Sequence, residues 1–216
     1  MNETTIIFIM ELIGTIAFTI SGALIAVRCG LDLFGVVLVG CITSVGGGIM
    51  RDLLLGKTPP SIFSNVIVLA IATITSLVVF IISYFNAGKF ESFEKRIESI
   101  NNIFDAVGLA TFSATGTEMA CNSGFLDMAV FSISMGVLTG IGGGIIRDIL
   151  VDSTPYVLKK HIYALASIIG STIYYLIRTK VNKILALIIA IPIIVIIRIL
   201  ATKYHWKLPI IDLAKG

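Results

Sequence analysis

The sequence predicts an all-α membrane protein with seven transmembrane helices, arranged as two inverted three-helix repeats followed by a C-terminal helix. Two observations carry this prediction. Of the 216 residues, 56% are hydrophobic and only 13% are charged, and the mean hydropathy is +1.01. Soluble domains usually carry about 25% charged residues, so the chain lacks the polar surface of a water-soluble fold. The second observation is a glycine-rich motif that occurs twice, 96 residues apart.

Seven apolar segments approach the length of about 20 residues that crosses a bilayer core. They cover residues 5–27, 33–50, 62–85, 103–121, 125–146, 161–177 and 181–200. We divide the chain into a first three-helix repeat at 1–85, a charged linker at 86–102 and a second three-helix repeat at 103–178. A seventh helix and a basic cytoplasmic tail occupy 179–216.

The basic residues in the connections predict the orientation. With the N-terminus outside, the inner loops and tail hold ten lysines and arginines, and the outer side holds five. Cytoplasmic loops are enriched in these residues, so we expect a multi-pass protein of the cell membrane with an outer N-terminus and a cytoplasmic C-terminus. The net charge of only +3 favours contact with lipid headgroups over binding of nucleic acid.

The internal repeat is the strongest feature of the sequence. Residues 43–59 read TSVGGGIMRDLLLGKTP and residues 139–155 read TGIGGGIIRDILVDSTP, with ten of seventeen positions identical. A weaker sequence similarity, at a separation of 94 residues, pairs Glu11 with Asp105. Because three helices are an odd number, the second copy enters the membrane in the opposite orientation. In this plan, transport sites lie near the midplane between the halves.

The duplicated glycine triplets are the candidate gate. A glycine costs about 1 kcal/mol relative to alanine in a helix, so three in a row predict a kink or break in the second and fifth helices. Backbone groups freed at that depth must be buried in protein or line water. The candidate pore or gate residues are Thr43, Gly46, Gly47, Gly48, Thr139, Gly142, Gly143 and Gly144. The alternative is close helix packing through small residues.

An Arg-Asp pair follows each glycine triplet. Ionisable residues within a membrane are costly and commonly functional. We predict that Arg51, Asp52, Arg147 and Asp148 flank the pore, where the aspartates attract cations at each mouth. The alternative places them at helix ends, where the aspartates cap the next turn. The candidate polar lining is Glu11, Thr19, Ser21, Asp105, Ser113, Thr115 and Glu118, and hydrogen bonding between helices is the alternative for these residues.

Other chemistries lack the residues that they require. His161 and His205 have no clustered cysteine or carboxylate partners of the kind that bind a metal ion. The sequence contains no nucleophile elbow, phosphate-binding loop or dinucleotide motif. We therefore expect no metal site, no cofactor and no enzymatic activity.

The doubled GGGxxRD motif in a seven-helix plan resembles the trimeric intracellular cation (TRIC) channel family, most closely its prokaryotic branch. The resemblance extends from Glu11 to about Leu200. It implies a homotrimer with one pore per protomer, gated near the glycine-kinked second and fifth helices. It also implies passive conduction of monovalent cations, with potassium preferred and sodium permeant, and membrane lipids bound near the pore.

The same repeat unit also occurs in small bacterial membrane proteins described as glycine-transporter-like. The alternative function is therefore a secondary carrier for a small amino acid such as glycine, whose carboxylate would bind at helix N-termini. A carrier requires a closed midplane site with two alternating gates, whereas a channel requires a continuous wet path. A lipid-binding scaffold without transport is a third hypothesis.

Overall fold

The computed structural model describes residues 3–87, 94–159 and 162–206. These ranges contain eight α-helices, a short 3-10 helix at Ser61–Phe63 and a π-helical segment at Cys121–Phe125. The α-helices are α1 Glu3–Arg28, α2 Leu33–Leu54, α3 Val66–Phe85, α4 Glu94–Ala120, α5 Ala129–Leu150, α6 Tyr156–Lys159, α7 Ile162–Arg178 and α8 Lys183–Lys203. Linker residues 88–93, His161 and the predicted basic tail at 207–216 lie outside the described residues.

Five helices of the described ranges are long and apolar enough to cross a membrane, namely α1, α2, α3, α5 and α8. The α7 helix is apolar but has only 17 residues, and α4 is long but rich in polar side chains. The α4 helix packs against α1, α5, α7 and α8, and so it needs no apolar face toward lipid. The chain is therefore an all-helical, multi-pass membrane protein, as predicted.

Several helix boundaries differ from the prediction, and two of these differences have a local cause. The α4 helix begins at Glu94 rather than at residue 103, so the second half of the predicted linker is helical. Its sequence EKRIE consists of residues with good helix propensity, which lets the helix continue beyond the apolar segment. The third helix begins at Val66 rather than at residue 62, because residues Ser61–Phe63 form the separate 3-10 helix.

The helices form two groups that correspond to the two repeats. In the first group α1, α2 and α3 contact one another, and in the second α4, α5 and α7 do so. The groups meet where α1 packs on α4 and α2 packs on α5. The α8 helix packs on α4 and α7, and so it covers the second group.

The contacts between α1 and α4 are reciprocal, because a phenylalanine of each helix lies against a glycine of the other. A Cβ atom built on Gly14 would lie 3.2 Å from the Phe112 ring, and one built on Gly108 would overlap the Phe18 ring. The two rings also contact each other, with centroids 5.4 Å apart. Residue numbers rise along one helix as they fall along the other, so α1 and α4 are antiparallel. Each repeat thus supplies a phenylalanine that fits over a glycine of the other repeat.

The α2–α5 crossing shows the same reciprocity and corrects the prediction of a kink or break. Both helices run unbroken through their glycine triplets. A Cβ atom on Gly47 would overlap the Thr139 carbonyl oxygen, and one on Gly143 would overlap the Thr43 carbonyl oxygen. These glycines therefore allow two helix backbones to touch, as in packing through small residues. The packing offsets the low helix propensity of glycine and keeps both helices continuous.

Candidate functional site

A cluster of buried charges lies where α4 and α5 meet. Arg147 is fully buried; its Nη1 donates to Asp105 Oδ1 at 2.9 Å and its Nε donates to Asp148 Oδ1 at 2.8 Å. Arg147 Nη1 also donates to Ser21 Oγ of α1 at 3.1 Å. The fold thus brings together four of the predicted site residues, from both repeats.

Two further members of this cluster were not predicted. Arg198 of α8 is 2% exposed, and its Nη2 lies 3.9 Å from Asp105 Oδ2. The Arg198 guanidinium stacks 4.6 Å from the centroid of the Tyr163 ring. One sequence signal for Arg198 exists, since it is the single charged residue between Lys183 and Lys203. An isolated charge in an apolar segment requires a partner, but the sequence does not identify that partner.

The equivalent residues of the first repeat are arranged differently. Arg51 Nε and Nη2 donate to Asp52 Oδ1 at 2.9 and 2.7 Å. Glu11, the counterpart of Asp105, is only partly buried and lines a cavity together with Arg51. The first repeat therefore leaves its acid and arginine at a cavity, whereas the second repeat encloses them.

The cavity beside Glu11 narrows toward the helix crossing. Its wide part has a volume of about 150 Å³ and is also lined by Ser61, Thr115 and Met119. A narrower part of about 30 Å³ shares Glu11 and reaches Gly48. A water molecule needs roughly 10–15 Å³ of such volume, so the narrow part has room for only a few waters. Gly48 is next in sequence to Gly47, where α2 touches α5.

The aspartates of the two Arg-Asp pairs are buried and accept hydrogen bonds from the segments that follow their helices. Asp52 Oδ2 accepts from the Ser61 backbone N–H at 2.9 Å and from the Ser61 hydroxyl. Asp148 Oδ2 accepts from the Tyr156 backbone N–H at 2.7 Å. Both aspartates are 1% exposed and use their other oxygen for the neighbouring arginine. Each carboxylate is therefore occupied in holding the segment that follows its helix, as in the alternative in which the aspartates cap the next turn. That these aspartates attract cations at the pore mouths stays a prediction.

Two of the three remaining polar candidates form hydrogen bonds between or within helices. Ser113 Oγ and Ser167 Oγ are 2.6 Å apart, which joins α4 to α7. Thr115 lines the wide cavity, but its hydroxyl donates to the Thr111 carbonyl at 2.9 Å. Thr19 is fully buried, and its hydroxyl has no partner among the described residues. Of these candidates, Thr115 alone borders a cavity described here.

The hydroxyl groups of Thr43 and Thr139 donate hydrogen bonds to backbone carbonyls within their own helices. Thr43 Oγ1 donates to the Val39 carbonyl at 2.6 Å, and Thr139 Oγ1 donates to the Met135 carbonyl at 2.5 Å. Both hydroxyls are buried. The part of each threonine that meets the other repeat is its backbone carbonyl, at Gly143 and Gly47 respectively.

Glu118 joins α4 to α7 rather than facing water. It is fully buried, and its Oε2 accepts from the Tyr174 hydroxyl at 2.6 Å and from Arg178 Nε at 2.9 Å. Its Oε1 accepts from Asn122 Nδ2 at 2.9 Å. The hydrogen-bonding alternative therefore describes Glu118, which holds the end of α4 against α7.

We expect Glu118→Gln to lower the thermal midpoint of the protein in detergent. The amide keeps the shape of the side chain but loses the charge that strengthens its bond to Arg178, a loss of about 2 kcal/mol. The matched control is Glu98→Gln, since Glu98 is exposed on the same helix. Equal midpoints for the two variants would show that the Glu118 carboxylate does not stabilise the α4–α7 contact.

Comparisons with known proteins agree with this architecture. A family model described as "Glycine transporter" matches residues 8–84 and 102–179, one segment in each repeat. The inner membrane protein YadS of Escherichia coli is 33% identical over 208 residues, covering 94% of this chain and 95% of YadS.

Two solved structures share the fold. One is the TRIC trimeric intracellular cation channel orthologue of Rhodobacter sphaeroides, 30% identical with a TM-score of 0.82, covering 94% of this chain and 100% of that chain. The other is a prokaryotic TRIC channel in 0.5 M KCl, 37% identical with a TM-score of 0.81, covering 95% and 100%. The resemblance inferred from the doubled motif is thereby confirmed. The chain belongs to the UPF0126 family of membrane proteins, the bacterial family whose structural neighbours are the prokaryotic TRIC channels.

Proposed function

We propose that the protein is a passive channel for monovalent cations, with its pathway between the two repeats. The observation that carries the proposal is the cavity lined by Glu11 and Arg51, whose narrower part reaches Gly48 of α2. Gly48 is next in sequence to Gly47, where α2 touches α5. Opening then requires the two glycine-bearing helices to separate. The solved relatives named as TRIC cation channels support conduction of cations. Preference for potassium over sodium is part of the proposal.

The proposed topology has seven membrane-spanning helices, with α4 and α7 crossing the membrane as well. Two inverted repeats, at 1–85 and 103–178, flank the linker at 86–102 and precede the helix and tail at 179–216. The antiparallel α1 and α4 support the inversion, since they are equivalent helices of the two repeats. With the N-terminus outside, the cavity at Glu11 opens to the exterior, and the cluster around Arg147 lies toward the cytoplasm.

The proposed assembly is a homotrimer in which each protomer has its own pore. The relative from Rhodobacter sphaeroides is named as trimeric. This chain presents an apolar groove of about 500 Å³ between α5 and α7, lined by Val130, Leu138 and Ile168 among others. Val130 is 82% exposed, so the groove has apolar surface available to a neighbouring protomer or to lipid.

Single-channel recording in a planar bilayer with asymmetric potassium chloride tests the proposal. We expect discrete openings and a cation-selective reversal potential for the purified protein. Glu11→Gln should lower the cation conductance about two- to threefold, because a carboxylate at a cavity mouth concentrates cations. Glu98→Gln, a charge removed from an exposed site on α4, is the matched control. Absence of openings in the unmodified protein would contradict the channel.

A carrier for a small amino acid is the second candidate. The description of the family model favours it. A carrier that works by alternating access also has a cavity open to one side of the membrane and a closed contact on the other side, as the cavity at Glu11 and the α2–α5 contact would provide. Uptake of radiolabelled glycine into liposomes separates the two functions. Saturable glycine uptake without bilayer openings would establish the carrier, whereas cation flux without glycine uptake is the outcome that we expect.

A further inference from the structure

The two repeats place equivalent charged groups in unequal surroundings. Glu11 and Arg51 border the cavity of about 150 Å³, whereas Asp105 and Arg147 are fully buried. If conduction follows the interface between the repeats, a cation that passes the α2–α5 crossing next meets this enclosed cluster. The second half of the pathway is therefore filled by protein, and the residues that fill it can be identified.

One of these residues is Tyr163 of α7. Ser76 and Ser171 occupy equivalent places, because each faces the matching glycine of the repeat, Gly40 or Gly136. Ser76 and Ser171 are 95 residues apart, and a separation of 95 residues also pairs Val68 of α3 with Tyr163 of α7. Val68 lines both parts of the cavity in the first repeat. In the second repeat the tyrosine occupies the corresponding space, and its hydroxyl lies 3.5 Å from Asp105 Oδ1.

The other residue is Arg198, which lies outside the repeat and has no counterpart in the first half. Its guanidinium is held between the Tyr163 ring at 4.6 Å and Asp105 Oδ2 at 3.9 Å. A distance of 3.9 Å is too long for a hydrogen bond. Among the described residues, Asp105 Oδ2 and Arg198 Nε and Nη2 have no hydrogen-bond partner although they are buried.

Buried charged groups that lack hydrogen bonds are costly, so this enclosed arrangement loses free energy that hydration would restore. We infer that Arg198 closes the half of the pathway built on the second repeat, and that its withdrawal from Tyr163 and Asp105 admits water and cations. A guanidinium in this position opposes a passing cation by charge as well as by volume. The inference rests on the proposed channel function and names a second closure, separate from the α2–α5 crossing.

The test compares Arg198→Met, Arg198→Lys and Ile196→Met with the unmodified protein in planar bilayers. Arg198→Met should raise the open probability by roughly tenfold, since lost contacts of a closed state shift a two-state equilibrium toward the open one. Arg198→Lys, which keeps the charge, should stay close to the unmodified protein. Ile196 is 54% exposed on the same helix, so Ile196→Met controls for the substitution itself and should leave gating unchanged.

Each outcome bears on a separate claim. Openings in the unmodified protein with an unchanged open probability in Arg198→Met would overturn the role of Arg198 and leave the channel intact. Absence of openings in every protein would overturn the channel. If Arg198→Met does not fold, Tyr163→Phe carries the test, because it keeps the ring under Arg198 and removes the hydroxyl near Asp105. We expect a smaller rise in open probability for this variant, and an unchanged value would overturn the inference.

Discussion

The double variant Gly47→Ala/Gly143→Ala is expected to lose several degrees of thermal midpoint. Each added methyl group would overlap a backbone carbonyl oxygen of the opposite helix, at Thr139 or Thr43. A backbone atom cannot rotate away as a side chain can, so α2 and α5 must separate. Overpacking of this kind costs about 1–3 kcal/mol per site, which exceeds the gain of about 1 kcal/mol from replacing glycine in a helix.

The matched control is Gly48→Ala, in the same triplet and on the same helix. A Cβ atom there would meet only the Arg51 guanidinium, at the ordinary contact distance of 3.7 Å. We expect its thermal midpoint, measured in detergent, to be unchanged or raised. If Gly48→Ala lost as much stability as the double variant, the close approach of α2 and α5 at Gly47 and Gly143 would not explain the loss.

Asp105→Ala is expected to prevent the protein from accumulating in a folded form. The substitution leaves the buried Arg147 without its partner at 2.9 Å and also removes the carboxylate that faces Arg198. Breaking a buried ion pair by removing one partner costs about 3–5 kcal/mol, a large part of the stability of a typical domain. Size-exclusion chromatography after extraction in detergent would measure the loss, as a fall in the fraction that elutes as a single folded species.

Glu11→Ala is the control for this variant, because Glu11 holds the equivalent place in the first repeat. It borders a cavity with Arg51, so water can solvate the groups that remain. We expect a folded protein with a stability change below about 1 kcal/mol, as for solvated charge pairs. If Glu11→Ala were as damaging as Asp105→Ala, the difference in burial between the repeats would not determine stability.

Much of the architecture was predictable from the sequence because its causes are local or periodic. Apolar segments mark the membrane helices, and the duplicated motif marks equivalent positions in the two halves. That equivalence paired Arg51 with Arg147 and Asp52 with Asp148. It also paired Glu11 with Asp105, although it did not reveal that one acid is enclosed and the other borders a cavity.

The parts that the sequence did not predict depend on partners distant along the chain. Helix propensity describes an isolated helix, so it suggested a break at the glycines, whereas contact with Thr139 and Thr43 keeps α2 and α5 continuous. Two charges that look functional, Asp52 and Asp148, are occupied by backbone N–H groups of the following loops. Arg198 is the opposite example, a residue that the sequence did not single out. Its contact with Asp105 exists only because α8 packs against α4.

The reciprocal fit of Phe18 over Gly108 and Phe112 over Gly14 bears on the origin of the chain. Each repeat carries both the protruding residue and the space that receives one. A surface with both members is self-complementary, which is the property of a two-fold symmetric homodimer interface. This arrangement is consistent with an ancestral three-helix protein that paired with a second copy of itself before its gene was duplicated and fused. Among the described residues, α8 packs mainly on α4 and α7, so the two halves have different surroundings.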